Sequence, residues 1–214
     1  MNETVSDRAR VLRGAKRAVY DKQSIYQILD ATFLCHVGYV FRGEARIIPT
    51  AYVRVGDAIY IHGNRKNGAM NSMLDGQVVC TEVTIVDGLV LSRSAFSHSV
   101  NYRSVICYGI AEEVEGKDKV SVLDALIEHY VLGRMTDLRP HYDEELAATL
   151  VIKLPITEAA AKVRSGPPMD RPEDYDGPTW AGVIPTETAY GKPIPCEKLR
   201  NDQVVPTYLA NFYE

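Results

Sequence analysis

The chain has 214 residues, a formal net charge of -4, and 46% hydrophobic against 24% charged residues. That is the balance of an ordinary globular protein large enough to bury a core, and it gives no global electrostatic support for nucleic-acid binding. No apolar run approaches the length of a membrane-spanning helix, and residues 1–7 lack the basic-then-apolar order of a secretory signal, so a cytoplasmic protein is expected.

In chain order, residues 8–22 carry Arg8, Arg10, Arg13, Lys16, Arg17 and Lys22, which reads as a solvated arm or an anion-binding one. Asp21 caps a predicted helix with Ile25, Ile28 and Leu29 on one face. Residues 33–41 read as a strand, Arg42-Gly43-Glu44 as a turn, and residues 45–55 as a second strand. The tight turn Val55-Gly56-Asp57 leads into a third strand that ends at His62-Gly63. A polar, basic loop follows, then a short helix whose apolar positions are Ala69, Met70, Met73 and Leu74 and which closes at Asp75-Gly76. Residues 77–86 have strand composition, with Val79, Thr81, Val83 and Ile85 on one face, and Asp87-Gly88 reads as a turn. The second half of residues 89–101 is too rich in serine and polar residues for a core strand. Residues 102–115 read as a long strand bent or bulged at Gly109. The clearest helix is 118–131, with Val120, Leu123, Ile127 and Tyr130 at helical spacing; residues 143–148 add another turn or two, and 149–154 a last strand stopped by Pro155. From Arg164 the composition turns to Gly, Pro and Asp, yet the only tryptophan, Trp180, follows.

The sum is about six strands, mostly joined by short turns, with peripheral helices. That pattern predicts a mainly β protein built as a small antiparallel barrel. A doubly wound nucleotide-binding sheet is disfavoured: no Gly-x-Gly-x-x-Gly follows a strand, and helices do not alternate with strands. The four cysteines, Cys35, Cys80, Cys107 and Cys196, form no Cys-x-x-Cys pair and read as free thiols, three of them in apolar strands. His36, His129 and His141 have no ligand partner at helical or hairpin spacing, so no metal site is expected. Gly-x-Ser-x-Gly is absent, and serines near His98 do not make a hydrolase.

Two stretches carry chemistry. Around His62, Gly63, Asn64, Arg65, Lys66 and Asn67, backbone N–H groups at a helix start stand beside two cations, an arrangement that suits a phosphate; the alternative is an ordinary hairpin with a solvated basic loop. Ser97 to Ser104 offers hydroxyls, an amide, a ring and Arg103, which either contacts an anion or pairs with a nearby carboxylate.

Taken together, Cys35-His36-Val37-Gly38, residues 48–52, residues 56–63, Ser94-Ala95-Phe96 and residues 101–105 followed by Gly109 resemble the pyridoxamine 5'-phosphate oxidase-like superfamily of FMN-binding split barrels, in the branch that includes 5-nitroimidazole reductases. The tail pieces 161–168 and 180–183 look like the C-terminal extension of one subgroup. The resemblance implies a six-stranded antiparallel split barrel over residues 1–165 with an N-terminal helical arm, and an extension over 166–214 that packs on the barrel or on a partner subunit. It implies a homodimer with FMN at the subunit interface. Ile48, Pro49, Thr50 and Ala51 would pass along the flavin ring, and His62, Gly63 and Asn64 would lie near flavin and phosphate. His62 matches an active-site histidine, placed to orient a substrate or donate a proton. Asn101, Tyr102, Arg103 and Ser104 match the second binding segment. Family members commonly carry Ser then Arg or Lys in the loop after His-Gly, where this chain has Asn67-Gly68, so Arg65 and Lys66 are the substitutes for the phosphate. Trp180 either covers the flavin or anchors the extension in its own core. The implied function is an FMN-dependent oxidoreductase of a small, nitroaromatic-type substrate, with NAD(P)H as a candidate electron donor. The alternatives are a flavin carrier or sensor without turnover, or a split barrel that binds another ligand such as haem.

Overall fold

Two short turns set the register of the sheet. Strand β2 (Leu34–Phe41) pairs antiparallel with β3 (Glu44–Val55) out to Phe41↔Glu44, which leaves Arg42 and Gly43 as a two-residue loop, both at positive φ. β3 pairs with β4 (Ala58–Asn64) out to Val55↔Ala58, with Gly56 supplying the left-handed backbone at φ 58°. Such loops match the twist of a hairpin. The computed structural model describes residues 5–200 and 203–212; residues 1–4, 201–202 and 213–214, which include the outer ends of both expected segments, lie outside the described residues.

The remaining strands are β1 (Ala18–Val19), β5 (Val78–Leu91), β6 (Ser99–Ile110), β7 (Glu112–Val114), β8 (Thr149–Pro155), β9 (Glu158–Arg164) and β10 (Gly182–Pro185). They form one ten-stranded antiparallel sheet in the order β1-β9-β6-β5-β2-β3-β4-β8-β7, with β10 added to β5. The sheet curls into a split barrel. Its inner face holds Val37, Tyr52, Ile59, Ile61, Val83 and Ile152 in one core with Ile25, Ile28 and Leu29 of α1 (Lys22–Asp30) and with Met70 and Met73 of α2 (Gly68–Met73). Closure is tight: a Cβ on Gly109 of β6 would stand 2.5 Å from the Pro155 carbonyl oxygen at the end of β8.

Asp21 caps α1 as expected, its side chain accepting from the Ser24 N–H at 2.8 Å. The helix is tied to the hairpin by Arg54, which grips the Asp30 carboxylate with two nitrogens at 2.7 and 2.6 Å. On the outer side, α3 (Gly116–Tyr130) packs Val122 and Leu126 on Val53, Val114 and Val151. Its buried face is Lys119, Val122 and Leu126, one position off the line through Val120 that spacing suggested. Lys119 is accommodated because its Nζ donates to the Leu146 carbonyl at 2.6 Å and to the Thr149 carbonyl; Leu146 belongs to α4 (Asp143–Ala148).

Three expectations are corrected. Among the described residues ten strands join the sheet where about six were expected, because short pieces at 18–19, 112–114, 158–164 and 182–185 add to it. Asp87-Gly88 is not a turn: β5 runs through it with a bulge between Val86 and Gly88. The bulge shifts the alternation by one, so Val79, Thr81 and Val83 are buried before it and Val90 after it. Gly109 is not a bulge; β6 stays in register there, and the glycine serves the close approach of Pro155.

The extension packs on its own barrel. β10 pairs along residues 88–91, so closely that a Cβ on Gly88 would meet the Ile184 carbonyl at 2.8 Å. Asp170 accepts from the backbone N–H and the guanidinium of Arg93, both at 3.0 Å, and Tyr175 lies over that guanidinium. Further on, the Tyr208 hydroxyl donates to Asp137 at 2.6 Å and accepts from Arg134 at 2.8 Å. No helix among the described residues is long and apolar enough to cross a membrane.

Candidate functional site

β3 and β4 are paired only from Tyr52↔Ile61 to Val55↔Ala58. Beyond that point they separate. β3 continues back through Ala51, Thr50, Pro49 and Ile48 paired with β2 alone, and β4 continues through His62, Gly63 and Asn64 paired with β8 alone. The split leaves facing strand edges whose backbone groups have no ladder partner on that side. Such an edge calls for a hydrogen-bonding occupant or a cover. Pro49, which lacks an N–H, fits an edge and not the middle of a sheet. Ile48 packs partly into the core, Thr50 and Ala51 are half-buried, and Pro49 is exposed.

At the β4 side of the opening His62 is half-buried, and its Nδ1 is buried without a hydrogen-bond partner. Burial pushes the imidazole pKa below its ordinary value, so the ring is neutral at pH 7. An unpaired buried ring nitrogen costs stability unless something bonds to it, which marks the position for an occupant. Gly63 has no room for a side chain, because Met70 of α2 lies where its Cβ would be. Downstream, Asn64 Oδ1 accepts from the Lys66 N–H at 2.8 Å and folds the loop, while Asn67 caps α2 by accepting from the N–H groups of Ala69 and Met70 at 3.0 and 3.4 Å. The helix start is therefore occupied by its own cap. Arg65 is turned to Glu113 of β7 in an ion pair. Lys66 is exposed and makes no ion pair among the described residues.

The second segment lies on β6, with β5 and β2 between it and β3 in the sheet, so one chain does not set the two segments on neighbouring strands. Arg103 is engaged by Asp87, with contacts at 2.7 to 3.2 Å, the carboxylate pairing that spacing had left open. Asn101 is buried; it accepts from Arg164 and donates to the Gly166 carbonyl at 3.1 Å. Tyr102 and Ser104 are half-buried on the same strand. Trp180 is 66% exposed and lies so close to Gly182 that a Cβ there would meet the indole at 2.8 Å, outside either core cluster.

Among the described residues no group of three His, Cys, Asp or Glu side chains is placed to hold a metal ion. His36 faces Glu82 at 3.4 Å, and His141 meets Asp124 at 2.8 Å. His129 Nε2 bonds the Thr32 carbonyl at 2.9 Å and lines a groove of about 490 Å³ with Phe33, Tyr130, Tyr190, Tyr208 and Phe212. Sequence reasoning missed this groove, because its walls come from three distant parts of the chain. It also missed Arg164, buried at 7% exposure in a stretch that reads as the start of the tail. The signal that would have found it is the run Ala159-Ala160-Ala161-Lys162-Val163-Arg164 just past a strand and a turn.

A curled antiparallel sheet whose neighbouring strands part beyond Tyr52↔Ile61, leaving unladdered edges along residues 48–51 and 62–64, is the architecture of the flavin-binding split-barrel family. The chain belongs to the pyridoxamine 5'-phosphate oxidase family, whose sequence profile matches residues 21–163. Among solved structures it is similar to the flavocytochrome Anf3 from Azotobacter vinelandii, at 38% identity over 97% of each chain and a TM-score of 0.91. It is also similar to an FAD- and haem-binding protein from Mycobacterium smegmatis, at 31% identity over 92% of this chain and 97% of that one, TM-score 0.88. A candidate 5-nitroimidazole antibiotic resistance protein from Bacteroides thetaiotaomicron matches at 25% identity over 68% of this chain and 86% of that one, TM-score 0.58. No curated protein matches the chain.

Proposed function

We propose that this protein is a flavin-dependent oxidoreductase whose flavin nucleotide lies in the opening between β3 and β4, at the interface of two copies of the chain. The observation that carries the reading is the pair of unladdered edges: residues 48–51 on one side and the unpaired Nδ1 of His62 on the other. An isoalloxazine ring is flat, apolar on its faces and rimmed with hydrogen-bonding atoms, which is what such an opening can satisfy. Bound there, the flavin would supply the redox chemistry. Backbone groups of β3 hold its edge, Met70 keeps the Gly63 backbone close, and His62 hydrogen-bonds the ring or a substrate stacked on it. FMN, the form implied by the sequence resemblance, and FAD, named in one relative, share this ring.

The second copy is supported by the outer face of the sheet. Leu34, Val40, Ile47, Val78, Val86, Ile106 and Ile110 are exposed there, and the register places them on one side of β2, β3, β5 and β6. An exposed apolar sheet face of that extent calls for a partner. A copy docked on it would bring residues 101–104 of one chain toward the opening of the other.

Haem is a second reading, favoured by one observation. Tyr190, Tyr208 and Phe212 of the extension line the aromatic groove around His129, and the two matches that cover 92% or more of this chain are named for haem or cytochrome. With Nε2 fixed on the Thr32 carbonyl, Nδ1 is the nitrogen left for a metal, and a backbone carbonyl is a common second partner of a metal-bound imidazole.

The test is the visible spectrum of the purified protein and the mass of the chromophore released on denaturation. Flavin bands that bleach anaerobically with NADH or NADPH and return with a nitro compound support the oxidoreductase. Flavin that binds but is never reduced leaves a carrier, and a colourless protein that ignores added FMN and FAD rejects the reading. A Soret band lost in His129→Ala supports the haem site; its absence from protein made with haem supplied rejects it.

A further inference from the structure

Phe96 stands 93% exposed at the tip of the hairpin formed by β5 and β6. The turn that carries it is held firmly. The Ser94 carbonyl accepts from the Ser92 hydroxyl at 2.5 Å, from His98 Nδ1 at 2.9 Å and from the Ser97 N–H at 3.2 Å, and the Ser94 hydroxyl donates to Ser97 Oγ at 3.1 Å. Below the tip, Arg93 is clamped by Asp170, whose side chain is fully buried, and β10 runs beside residues 88–91. The outer face of the sheet continues onto this arm. The bulge between Val86 and Gly88 brings Leu89 to the side that Val86 holds, and the register sets Leu89 beside Val100 on one strand and Ile184 on the other. Val86, Leu89, Val100 and Ile184 are all exposed. One apolar strip therefore runs from the outer face of β2, β3, β5 and β6 to the tip that carries Phe96.

A lone exposed apolar residue is ordinary. An aromatic ring at the end of a contiguous apolar strip, on a turn ordered before any partner arrives, has the character of an interface anchor: little entropy is left to lose when it docks. The partner that fits is a second copy of this chain, because the strip is continuous with the sheet face on which a second copy docks. Beyond Tyr102 the arm pairs only within itself and with β10, and from Val86 to Leu91 it runs on for about 17 Å, so it overhangs the barrel. In a two-fold pair the same surfaces meet. An arm that runs past its own face then crosses the β2–β3 side of the other copy, where the free edge of β3 walls the opening. We propose that Phe96 is the anchor that one copy sets against the other, at the mouth of the other copy's β3–β4 opening, where its ring forms one wall of the flavin site. This rests on the flavin reading above.

The experiment places the photocrosslinker p-benzoylphenylalanine at position 96 of the full-length chain. Irradiation is expected to give a band of twice the chain mass on a denaturing gel, with residue 96 joined to a peptide that carries residues 48–51 or 62–67. No such band, joining only within one chain, or joining to a surface away from the opening overturns the proposal. Phe96→Ala, at an exposed position on which no core depends, raises the dissociation constant of the pair at least about tenfold and weakens FMN and FAD with it. Phe96→Leu, which keeps an apolar side chain, loses less. An unchanged pair with unchanged flavin affinity in Phe96→Ala overturns the anchor and leaves the flavin reading standing. A chain that cross-links as expected but takes up neither FMN nor FAD supports the anchor and rejects the flavin reading.

Discussion

Gly63 and Met70 share one space. A Cβ on Gly63 would collide with the Met70 Sδ, and Met70 is itself buried at 3% exposure. The end of β4 and the first turn of α2 are therefore pressed together at the mouth of the opening, and the loop between them, residues 64–67, is held at both ends.

Gly63→Ala must push Met70, a flexible side chain in a filled core. The expected loss is about 1–2 kcal/mol, within the range for overpacking. Gly109→Ala meets the Pro155 carbonyl, which is backbone and cannot swing away, so its loss is larger, about 3 kcal/mol or more. Urea unfolding midpoints of the two variants measure the order. A Gly109→Ala variant as stable as the parent would mean that β6 and β8 do not close as described.

The thiols differ in reach. Cys35 and Cys107 are buried, and burial pushes both up to about 12, so neither forms a reactive thiolate in the folded chain. Cys196 is exposed. A thiol-reactive chromophore should label Cys196 quickly and Cys35 and Cys107 only on unfolding. Cys80 is half-buried on the outer sheet face, opposite Gly38. If a second copy covers that face, Ile47→Arg, which puts a charge at a residue 71% exposed in one chain, speeds Cys80 labelling. Equal Cys80 rates in parent and variant would count against the covered face.

His62 gives a pH signature. Its folded pKa lies below the unfolded value near 6.5, because burial disfavours the charged ring. Above pH ~6.5 neither state binds the proton, and the group contributes nothing. As pH falls below that value the unfolded chain takes up a proton that the folded chain refuses, so stability declines until the folded pKa is passed. In flavin-free protein, the stability of the parent relative to His62→Gln should fall from pH 7 to pH 5. A constant or widening advantage of the parent would contradict a desolvated ring.

Much of this was legible in the residues. Arg42-Gly43 and Gly56-Asp57 announced the two hairpins, Asp21 its cap, and alternation placed Val79, Thr81 and Val83 inside. What misled was local chemistry overruled by pairing. Asp87-Gly88 looks like a turn, but the bulge there admits β10 against Gly88, and Asp87 holds Arg103. Residues 158–164 are alanine-rich and lack strand composition, yet pairing on both edges, with β1 and β6, makes them a strand. In the candidate site, His62 and residues 48–51 were singled out by the family resemblance, which rests on the order and spacing of short motifs. The unpaired edges between them, and the burial of Arg164, depend on where strands diverge, which no local pattern records.

Sedimentation of the purified protein, followed at the flavin absorbance, tests the central claim most directly. A flavin held in the opening at the interface of two copies predicts that the colour travels with a species of twice the 23.8 kDa chain mass, at one flavin per chain. Flavin colour moving with a single chain, or a paired chain that carries none after incubation with FMN and FAD, would contradict it.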